Sequence, residues 1–366
     1  MKSRDTWIEI DTNAYLHNLE YFSNLLFPTK VMPVLKANAY GHGAKVLAKK
    51  VEEIGLDYIA VAFLEEALEL RESGVKIPIL VFNYFSEKYV DYFVKNDITA
   101  TIYCHEQYKS LESELRKKNM KLRVHINVDT GMGRLGYKVD KALELFEMIY
   151  RSPYFDLEGV YTHFSDADNI GSGFTMEQNE RFKSFLNELP EKPKIIHNCN
   201  SAASIFFREF KMDYSRIGIA SYGLQPSNAK KDENIEPVLS WYSVVSFVKE
   251  ISPGDTISYG RTFIAKSKMK VATIPVGYAD GYPRDLSNKG YVLIKGKKCK
   301  ILGRVCMDQF VVDVSHVKDI EIGDQVVLIG RQDGSKISAE ELAKLIGTIN
   351  YEIVCRITSR VPRVYL

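Results

Sequence analysis

Short apolar runs and amphipathic segments alternate along the first part of the chain, from Trp7 to about Gly223. Eight of the apolar runs predict β-strands, at residues 8–10, 31–35, 58–62, 77–82, 98–103, 122–128, 157–163 and 194–199. Between them, apolar residues recur at helical spacing and predict crossover helices. Because repeated strand-helix units form parallel sheets, we expect a (β/α)₈ TIM barrel rather than an open sheet.

The pattern of polar and apolar positions changes after about residue 228. The turns SPGD and EIGD then separate closely spaced strands, predicted at residues 243–248, 270–274, 291–295, 310–314 and 325–329. One short helix is predicted near residues 338–346, and the charged stretch AKKDEN is the predicted linker. We therefore expect two domains, a barrel over residues 1–232 and a mostly antiparallel β domain over residues 233–366.

Length, charge and cysteine pattern exclude several classes of protein. A chain of 366 residues is long enough for two folding units and for a core that encloses a cofactor. Its 49 basic and 47 acidic residues create no field that would attract nucleic acid. Since no stretch predicts a signal peptide or a membrane span, we expect a cytoplasmic protein without a membrane partner. The cysteines and histidines form no C-x-x-C or H-x-x-x-H pair, so neither a disulfide framework nor a metal site is expected.

The segment VMPVLKANAYGHG places Lys36 directly after an apolar run. Burial at such a position favours the neutral amine, which is the nucleophile that forms an imine with a carbonyl cofactor. A lysine that closes a strand is, however, more often a surface residue. Lys36 alone therefore leaves both interpretations open.

The run GMGRLG, from Gly131 to Gly136, matches the G-x-G-x-x-G pattern of dinucleotide-binding proteins. In those proteins a helix begins inside the pattern and meets the pyrophosphate. Here the helical periodicity begins only near Lys138, after the sixth predicted strand. We therefore interpret the run as a glycine-rich loop that presents Arg134 above the barrel.

Three further segments, THFSDAD, HNCNSAAS and SRIGIASYG, place polar groups where predicted strands end. Their candidate functional groups are the side chains of His163, Asn200, Ser201 and Arg216 and the backbone amides of Gly218 and Ile219. Hydroxyls and backbone N–H groups late in a barrel are typical of a phosphate site. The structural alternatives are a helix N-cap for Ser201, a core histidine for His163 and a surface ion pair for Arg216.

Taken together, nine segments resemble the alanine racemases, which are pyridoxal phosphate-dependent enzymes of fold type III. They occur in the family's order over nearly the whole chain: VLKANAYGHG, DTGMGRLG, THFSDAD, HNCNSAAS, RIGIASYG, SYGRTF, VGYADGYPR, GRVCMDQF and NYEIVCRITSRVPR. Chance could produce one such match but hardly nine in sequence. The resemblance implies pyridoxal 5'-phosphate as the cofactor, interconversion of L-alanine and D-alanine as the activity, and supply of D-alanine for peptidoglycan.

The resemblance implies two catalytic bases. Lys36 would hold the cofactor as an imine and act on one face of the substrate, while Tyr259, in SYGRTF, would act on the other. Racemisation needs both, because one group removes the α-proton and another returns a proton from the opposite side. Tyr259 can accept a proton only as a phenolate, which the family's histidine, here His163, would help to stabilise. We hypothesise that Arg261, two residues along a strand and so on the same face, adds to this effect.

The resemblance also implies which residues contact the cofactor. Arg216 would face the pyridine nitrogen and, since a guanidinium keeps its proton, would leave that nitrogen unprotonated and favour racemisation over transamination. Arg134 would hydrogen-bond the phenolic oxygen of the cofactor and the substrate carboxylate. His163 and Asn200 would also bind the cofactor, and its phosphate would be held by Tyr40, Ser201, Gly218, Ile219 and Tyr351.

In the family, the second domain of one subunit completes the barrel site of the other. The resemblance therefore implies a homodimer with shared active sites, and an inactive monomer. The residues that would act across the dimer are Tyr259 and the substrate contacts Tyr278, Met307 and Asp308.

One position departs from a common family pattern. Many members carry a carbamylated lysine just before the DTGMGR segment, whereas this chain has Asn127. Without the negative charge of the carbamate, Arg134 needs another partner, and we hypothesise a bound anion such as chloride. The structural alternative is that Asn127 simply packs at the end of its strand.

Alternative activities remain open at this point. Tyr351 is the residue expected of alanine-selective relatives, and its bulk ranks alanine first and serine second as substrate. Amino-acid decarboxylases of the same architecture would release carbon dioxide and tolerate Tyr259→Phe. A non-catalytic pyridoxal phosphate carrier usually consists of the barrel alone, so the predicted β domain speaks against it.

Overall fold

The computed structural model describes residues 4–227 and 229–366; Asn228, close to the predicted change of pattern, lies outside the described residues. The chain divides into two compact units. The barrel unit comprises Leu16–Ala39 and Ala44–Glu236. The β unit comprises the described residues up to Tyr15 together with Tyr40–Gly43 and Pro237–Leu366.

The strands are numbered in chain order. The first nine are β1 (Trp7–Ile10), β2 (Lys30–Pro33), β3 (Ile59–Val61), β4 (Ile79–Val81), β5 (Ile98–Ile102), β6 (Leu122–Asn127), β7 (Phe155–Tyr161), β8 (Ile195–His197) and β9 (Tyr214–Ile217). The others are β10 (Leu239–Val244), β11 (Phe247–Ile251), β12 (Thr256–Ile257), β13 (Phe263–Ile264), β14 (Met269–Ile274), β15 (Tyr291–Ile294), β16 (Lys297–Leu302), β17 (Phe310–Asp313), β18 (Gln325–Gln332), β19 (Ser335–Ile337) and β20 (Arg363–Tyr365).

The helices carry apolar residues at helical spacing, as the sequence predicts. They span Thr12–Leu26, Ala44–Glu53, Leu64–Glu72, Val90–Lys95, His105–Lys118, Val139–Arg151, Phe174–Glu188, Ser201–Phe206, Ala339–Ile346 and Asn350–Cys355. In Val139–Arg151, for example, Leu145, Phe146 and Ile149 are buried on one face. This helix starts at the predicted place, after the glycine-rich run, so the run is not the start of a dinucleotide-binding helix.

Strands β2 to β9 form one parallel sheet in the order β2-β9-β8-β7-β6-β5-β4-β3. A bridge between Val34, which follows β2, and Ala60 of β3 joins the two ends of this order, so the sheet is nearly closed. The predicted eight-stranded barrel is confirmed. Its functional end is the one at which the strands finish, because barrel enzymes carry their sites there.

One predicted barrel strand was wrong and one was missed. Residues 8–10 lie in β1, which pairs with β10 and β20 of the β unit. The alternation of its buried and half-buried residues fits that sheet, whereas barrel strands such as β3 are buried throughout. The missing barrel strand is β9. All four of its residues are buried, but Ser215 and Arg216 are polar, so β9 does not form an apolar run that would predict a strand.

The β unit contains a mainly antiparallel sheet in the order β11-β14-β17-β16-β15-β18-β10-β1-β20, with β19 paired to β18. The antiparallel β architecture predicted for the second half is therefore confirmed. The predicted strand at 243–248 was wrong in its bounds, because Val245 and Ser246 form the turn between β10 and β11. The predicted helix begins at Ala339 with Ser338 as its N-cap, and a second helix, Asn350–Cys355, was missed.

The part of the chain that the structure describes, residues 4–227 and 229–366, was considered for membrane-spanning helices and metal sites. Within this part, no helix is both long and apolar enough to cross a membrane. In the same part, no group of three or more His, Cys, Asp or Glu side chains is arranged to hold a metal ion.

Candidate active site

Lys36 directly follows the short loop after β2 and begins a tight turn, Lys36–Tyr40. The residues from Ala37 to Tyr40 all have φ between +52° and +54°, the left-handed region that costs a non-glycine residue about 1–2 kcal/mol. Hydrogen bonds hold this backbone: Ala37 N–H donates to Glu66 Oε1 at 2.5 Å, and Asn38 Oδ1 accepts from the N–H of Ala44 at 2.9 Å. The position of Lys36 is therefore set by a constrained turn.

Arg216 lies on β9 with its guanidinium buried inside the barrel. It donates to His197 Nδ1 at 2.7 Å and to the carbonyl oxygens of Thr162 at 2.8 Å and Asn198 at 3.1 Å. Burial lowers the pKa of Arg216 to about 10, which still leaves the guanidinium charged at neutral pH. The site therefore contains a fixed cation that can only donate hydrogen bonds.

His163 follows β7 and is near three basic side chains. Its Nδ1 lies 3.3 Å from a guanidinium nitrogen of Arg216. Burial and the positive charges of Arg216, Arg134 and Lys36 hold its pKa well below the ordinary histidine value. The imidazole is therefore neutral at pH 7, and these four predicted residues do come together at one end of the barrel.

Ser201 and Asn200 form a polar corner opposite the turn after β9. Ser201 Oγ accepts from the N–H of Gly218 at 3.0 Å and of Ala220 at 3.4 Å, so its own proton can be donated elsewhere. Asn200 caps the following helix by accepting from Ala203 N–H at 3.0 Å. The structural alternative that made Ser201 the N-cap was therefore wrong, because Asn200 is the N-cap and Ser201 is the first residue of the helix.

The functional groups at this end of the barrel fit pyridoxal phosphate. A primary amine can form an imine with the carbonyl of that cofactor, and two guanidinium groups and a hydroxyl can hydrogen-bond its phenolic oxygen, ring nitrogen and phosphate. Lys36, Arg134, Arg216 and Ser201 provide these groups within the barrel unit. A cationic group of donors is suited to a cofactor with a dianionic phosphate and to a substrate with a carboxylate.

The loop that carries Arg134 is held by its own backbone. Asp129 accepts from the N–H of Gly131 at 2.9 Å and of Gly133 at 3.0 Å, and the Arg134 side chain is exposed. Gly136 is required, because a Cβ there would lie 2.5 Å from the carbonyl oxygen of Asn127. Asn127 Nδ2 donates to the Leu135 carbonyl at 3.1 Å, so this side chain braces the base of the loop.

In the β unit, Tyr259, Met307 and Asp308 line one cavity of about 460 Å³. All three are exposed, and Tyr259 has 72% of its surface accessible. Asp308 is held by Arg360 at 2.7 Å. Tyr278 lies beside this cavity, because its N–H donates to the carbonyl of Cys306 at 3.0 Å. The predicted substrate contacts of the β unit therefore form one group.

Tyr40 and Tyr351 also belong to the β unit and contact each other, with ring centroids 6.0 Å apart. Tyr40 is buried and Tyr351 is partly exposed. The adjacent Gly41 lies against the backbone of Val354, where a Cβ would be 2.5 Å from the carbonyl oxygen. Glycine at this position therefore allows the backbone after Tyr40 to pack against the helix Asn350–Cys355, which carries Tyr351.

Comparison with known proteins decides which family has this arrangement. The family described as "Alanine racemase, N-terminal domain" matches residues 10–226, and "Alanine racemase, C-terminal domain" matches residues 238–365. The chain belongs to the alanine racemase family. Members of this family depend on pyridoxal phosphate, in agreement with the donor set in the barrel.

Individual alanine racemases match over the whole chain. The protein from Halothermothrix orenii is 44% identical over 99% of this chain and 97% of its own length. That from Methanococcus maripaludis is 43% identical over 100% of both chains. The crystal structure of alanine racemase from E. faecalis has a TM-score of 0.95 and 35% identity, and covers 100% of this chain and 99% of its own. The resemblance read from the nine segments is therefore confirmed.

The structure also reveals functional candidates that the sequence analysis missed. His197 and His125 lie in the barrel interior, between Arg216 and Glu158. One signal was available in β6, where Arg123, His125 and Asn127 occupy alternate positions and therefore share one face of the strand. Polar residues repeated on the inner face of a barrel strand indicate a polar interior.

The buried histidines predict how stability depends on pH. Burial lowers the pKa values of His125, His163 and His197 in the folded protein, whereas an unfolded histidine titrates near 6.5. As pH falls through about 6.5, the unfolded chain binds protons that the folded chain does not, so stability falls by up to about 1.4 kcal/mol per pH unit for each histidine. Urea unfolding at pH 7.5 and 5.5 should show the loss. His197→Asn should have a shallower pH slope, and an unchanged slope would contradict this account.

Proposed function

We propose that this chain interconverts L-alanine and D-alanine by a two-base reaction with Lys36 and Tyr259 as the bases. The observation that carries the proposal is the sequence identity to alanine racemases over almost the whole length of the chain. The grouping of Lys36, Arg134, His163 and Arg216 at one end of the barrel supports it. The test supplies the purified protein with pyridoxal phosphate and each L-amino acid in turn, followed by chiral analysis. Carbon dioxide release, or no product from alanine, would contradict it.

The proposed roles follow from the chemistry of the side chains. When bound, pyridoxal phosphate supplies a conjugated ring that stabilises negative charge at the substrate α-carbon. The Lys36 amine moves a proton on one face of that carbon and the Tyr259 phenolate on the other. Arg134 orients the substrate carboxylate, while Arg216 presents only N–H donors to the ring nitrogen and so keeps that nitrogen without a proton.

The remaining residues hold the phosphate and shape the substrate space. Tyr40, Ser201, Gly218, Ile219 and Tyr351 bind the phosphate, and Asn200 fixes the start of the Ser201 helix. Tyr278, Met307 and Asp308 contact the substrate. The bulk of Tyr351, whose ring centroid lies 6.0 Å from that of Tyr40, limits the space beside the substrate methyl group and so favours alanine over serine. The reaction takes place in the cytoplasm and provides D-alanine for peptidoglycan.

The active protein in this proposal is a homodimer, in which the β unit of each subunit completes the barrel site of the other. The exposure of Tyr259 and Met307, at 72% and 52%, supports this arrangement. A base that is largely in water cannot be desolvated and positioned for proton transfer unless another surface covers it. The same face also exposes Tyr278, so a partner would bury three large side chains together.

Shared sites predict complementation between two inactive variants. Lys36→Ala and Tyr259→Phe chains should each have very low activity alone. After mixed refolding, half the dimers combine one chain of each kind and hold one intact site, so about a quarter of the wild-type activity should return. Activity of the refolded mixture measures this. If both bases acted within one chain, mixing would restore nothing.

Arg216→Glu should shift the reaction toward transamination. Glutamate would hold a proton toward the ring nitrogen of bound cofactor, which would make that ring a stronger electron acceptor than it is beside arginine. We expect racemisation to fall by about 10²-fold and pyruvate formed per racemisation event to rise. Chiral analysis and a pyruvate assay on the same sample measure both quantities. A proportional fall in both products would show that the substitution merely disrupts the site.

A further inference from the structure

Arg216 is one end of a hydrogen-bonded chain that crosses the barrel interior. Its guanidinium lies 2.7 Å from His197 Nδ1, and His197 Nε2 lies 2.9 Å from His125 Nδ1. His125 Nε2 then lies 3.1 Å from Glu158 Oε2. We call these four residues the barrel column. Both histidines are fully buried, and the Glu158 side chain is 19% exposed.

The two end residues of the barrel column determine the direction in which its hydrogen bonds are donated. A guanidinium can only donate, so His197 Nδ1 must be the acceptor and its proton must be on Nε2. That proton is then donated to His125 Nδ1, which places the His125 proton on Nε2, facing Glu158. Every bond therefore points the same way, from a cation to an anion, and bonds aligned in this way polarise one another.

The charge states agree with this direction. Burial lowers the pKa of His125 and, together with Arg216, holds that of His197 well below the ordinary value, so both rings are neutral. The pKa of Glu158 is lowered as well, because the bonds from His125 and Tyr58 and the nearby Arg123 outweigh its burial. The barrel column thus contains one positive and one negative end, separated by two neutral rings.

Neighbouring residues keep the two imidazole rings in place. Tyr161 stacks on His197 with ring centroids 4.7 Å apart and an interplanar angle of 18°. Gly159 leaves room for His125, because a Cβ there would lie 2.8 Å from its Cε1. Tyr58 Oη lies 2.7 Å from Glu158 Oε2. Contacts with Tyr161, Gly159 and Tyr58 therefore hold the barrel column in addition to the hydrogen bonds between its own four residues.

We propose that Glu158 is a positioning residue for the reaction: acting through His125 and His197, it holds Arg216 in place and balances its charge. This inference rests on the proposed function, in which Arg216 faces the ring nitrogen. The remote carboxylate makes His197 Nδ1 a stronger acceptor and restrains the guanidinium at the site. Residues that hydrogen-bond to a metal ligand commonly change activity about 10- to 100-fold when they are replaced, and we expect an effect on the same scale for Glu158.

The first experiment needs no substitution. Solid-state NMR of the holoenzyme with ¹⁵N-labelled histidine should show two neutral rings protonated at Nε2, with coupling between the Nε2 of one and the Nδ1 of the other. This coupling identifies His197 and His125. A proton on Nδ1 of His197, or a charged ring in the pair, would overturn the proposal whether or not the protein racemises alanine.

The second experiment compares kcat and KM for alanine in matched variants. Glu158→Gln keeps an acceptor but removes the charge, and should lower kcat about 10-fold with little change in KM. Glu158→Leu removes both and should lower kcat further and alter the ¹⁵N spectrum of His125. Tyr108→Phe, which removes a hydroxyl that donates to Glu112 Oε1 at 2.7 Å outside the barrel column, should stay within about 3-fold of wild type. If the wild-type protein racemises alanine and Glu158→Gln matches Tyr108→Phe in kcat, the proposal fails. If the wild-type protein does not racemise alanine, the proposed function fails instead.

Discussion

Replacing Lys36 with arginine is expected to lower alanine racemisation by about 10³-fold or more, because general-base and covalent roles are lost together. Arginine preserves the positive charge but practically never gives up its proton, so it can neither form an imine nor accept the α-proton. Chiral analysis of alanine measures the rate. Borohydride reduction followed by peptide mapping should find the pyridoxyl group on Lys36 in wild type and on no peptide of the variant.

Lys45→Arg is the matched control for this substitution. Lys45 lies on the helix Ala44–Glu53, and its Nζ pairs with the exposed Glu69 at 3.6 Å. An exposed ion pair contributes little, so this variant should keep wild-type activity. The role assigned to Lys36 would be refuted by a Lys36→Arg enzyme that retains more than about a tenth of the wild-type rate, since a lost base costs at least 10²-fold.

Tyr259→Phe should have a comparable effect on racemisation but a different effect on hydrogen exchange. With one of two bases removed, a proton can still leave and return on the face that Lys36 serves. We therefore expect racemisation to fall by about 10³-fold while α-hydrogen exchange in heavy water persists for one enantiomer of alanine. Measuring exchange and chirality on each enantiomer separates the two effects.

Tyr291→Phe provides the comparison for this variant. Tyr291 is in β15, where its hydroxyl lies 3.2 Å from Lys298 Nζ, so the substitution removes a phenol from the same unit without touching the cavity of Tyr259. Its racemisation rate should equal that of wild type. Equal loss of exchange for both enantiomers in Tyr259→Phe would argue against a two-base reaction.

The sequence predicted the barrel well because most of its strands are apolar runs between amphipathic helices. It failed at β9, where Arg216 and Ser215 are polar yet buried, since their partners come from distant strands and cannot be read from local periodicity. It also placed β1 in the wrong sheet. An apolar run of this length indicates a strand but contains no information about the strand beside which it will lie.

The candidate site was predicted residue by residue only because the nine segments resemble a known family. From the residues alone, Lys36 and His163 each kept a structural alternative. The left-handed turn after Lys36 had no signal that we recognised, because alanine and asparagine rarely adopt that conformation in succession. The barrel column was missed for a related reason: hydrogen bonds between side chains of β6, β7, β8 and β9 depend on the register of the strands.

The pairing of β1 has a consequence for how the chain folds during synthesis. Its neighbours in the sheet, β10 and β20, lie at Leu239–Val244 and Arg363–Tyr365, so β1 is synthesised long before the strands with which it pairs. The residues of the barrel unit are translated in between, and early domains commonly fold as units while synthesis continues. The barrel is therefore, in topological terms, an insertion into the β unit, and the sheet that contains β1 becomes complete only after β20 has been synthesised.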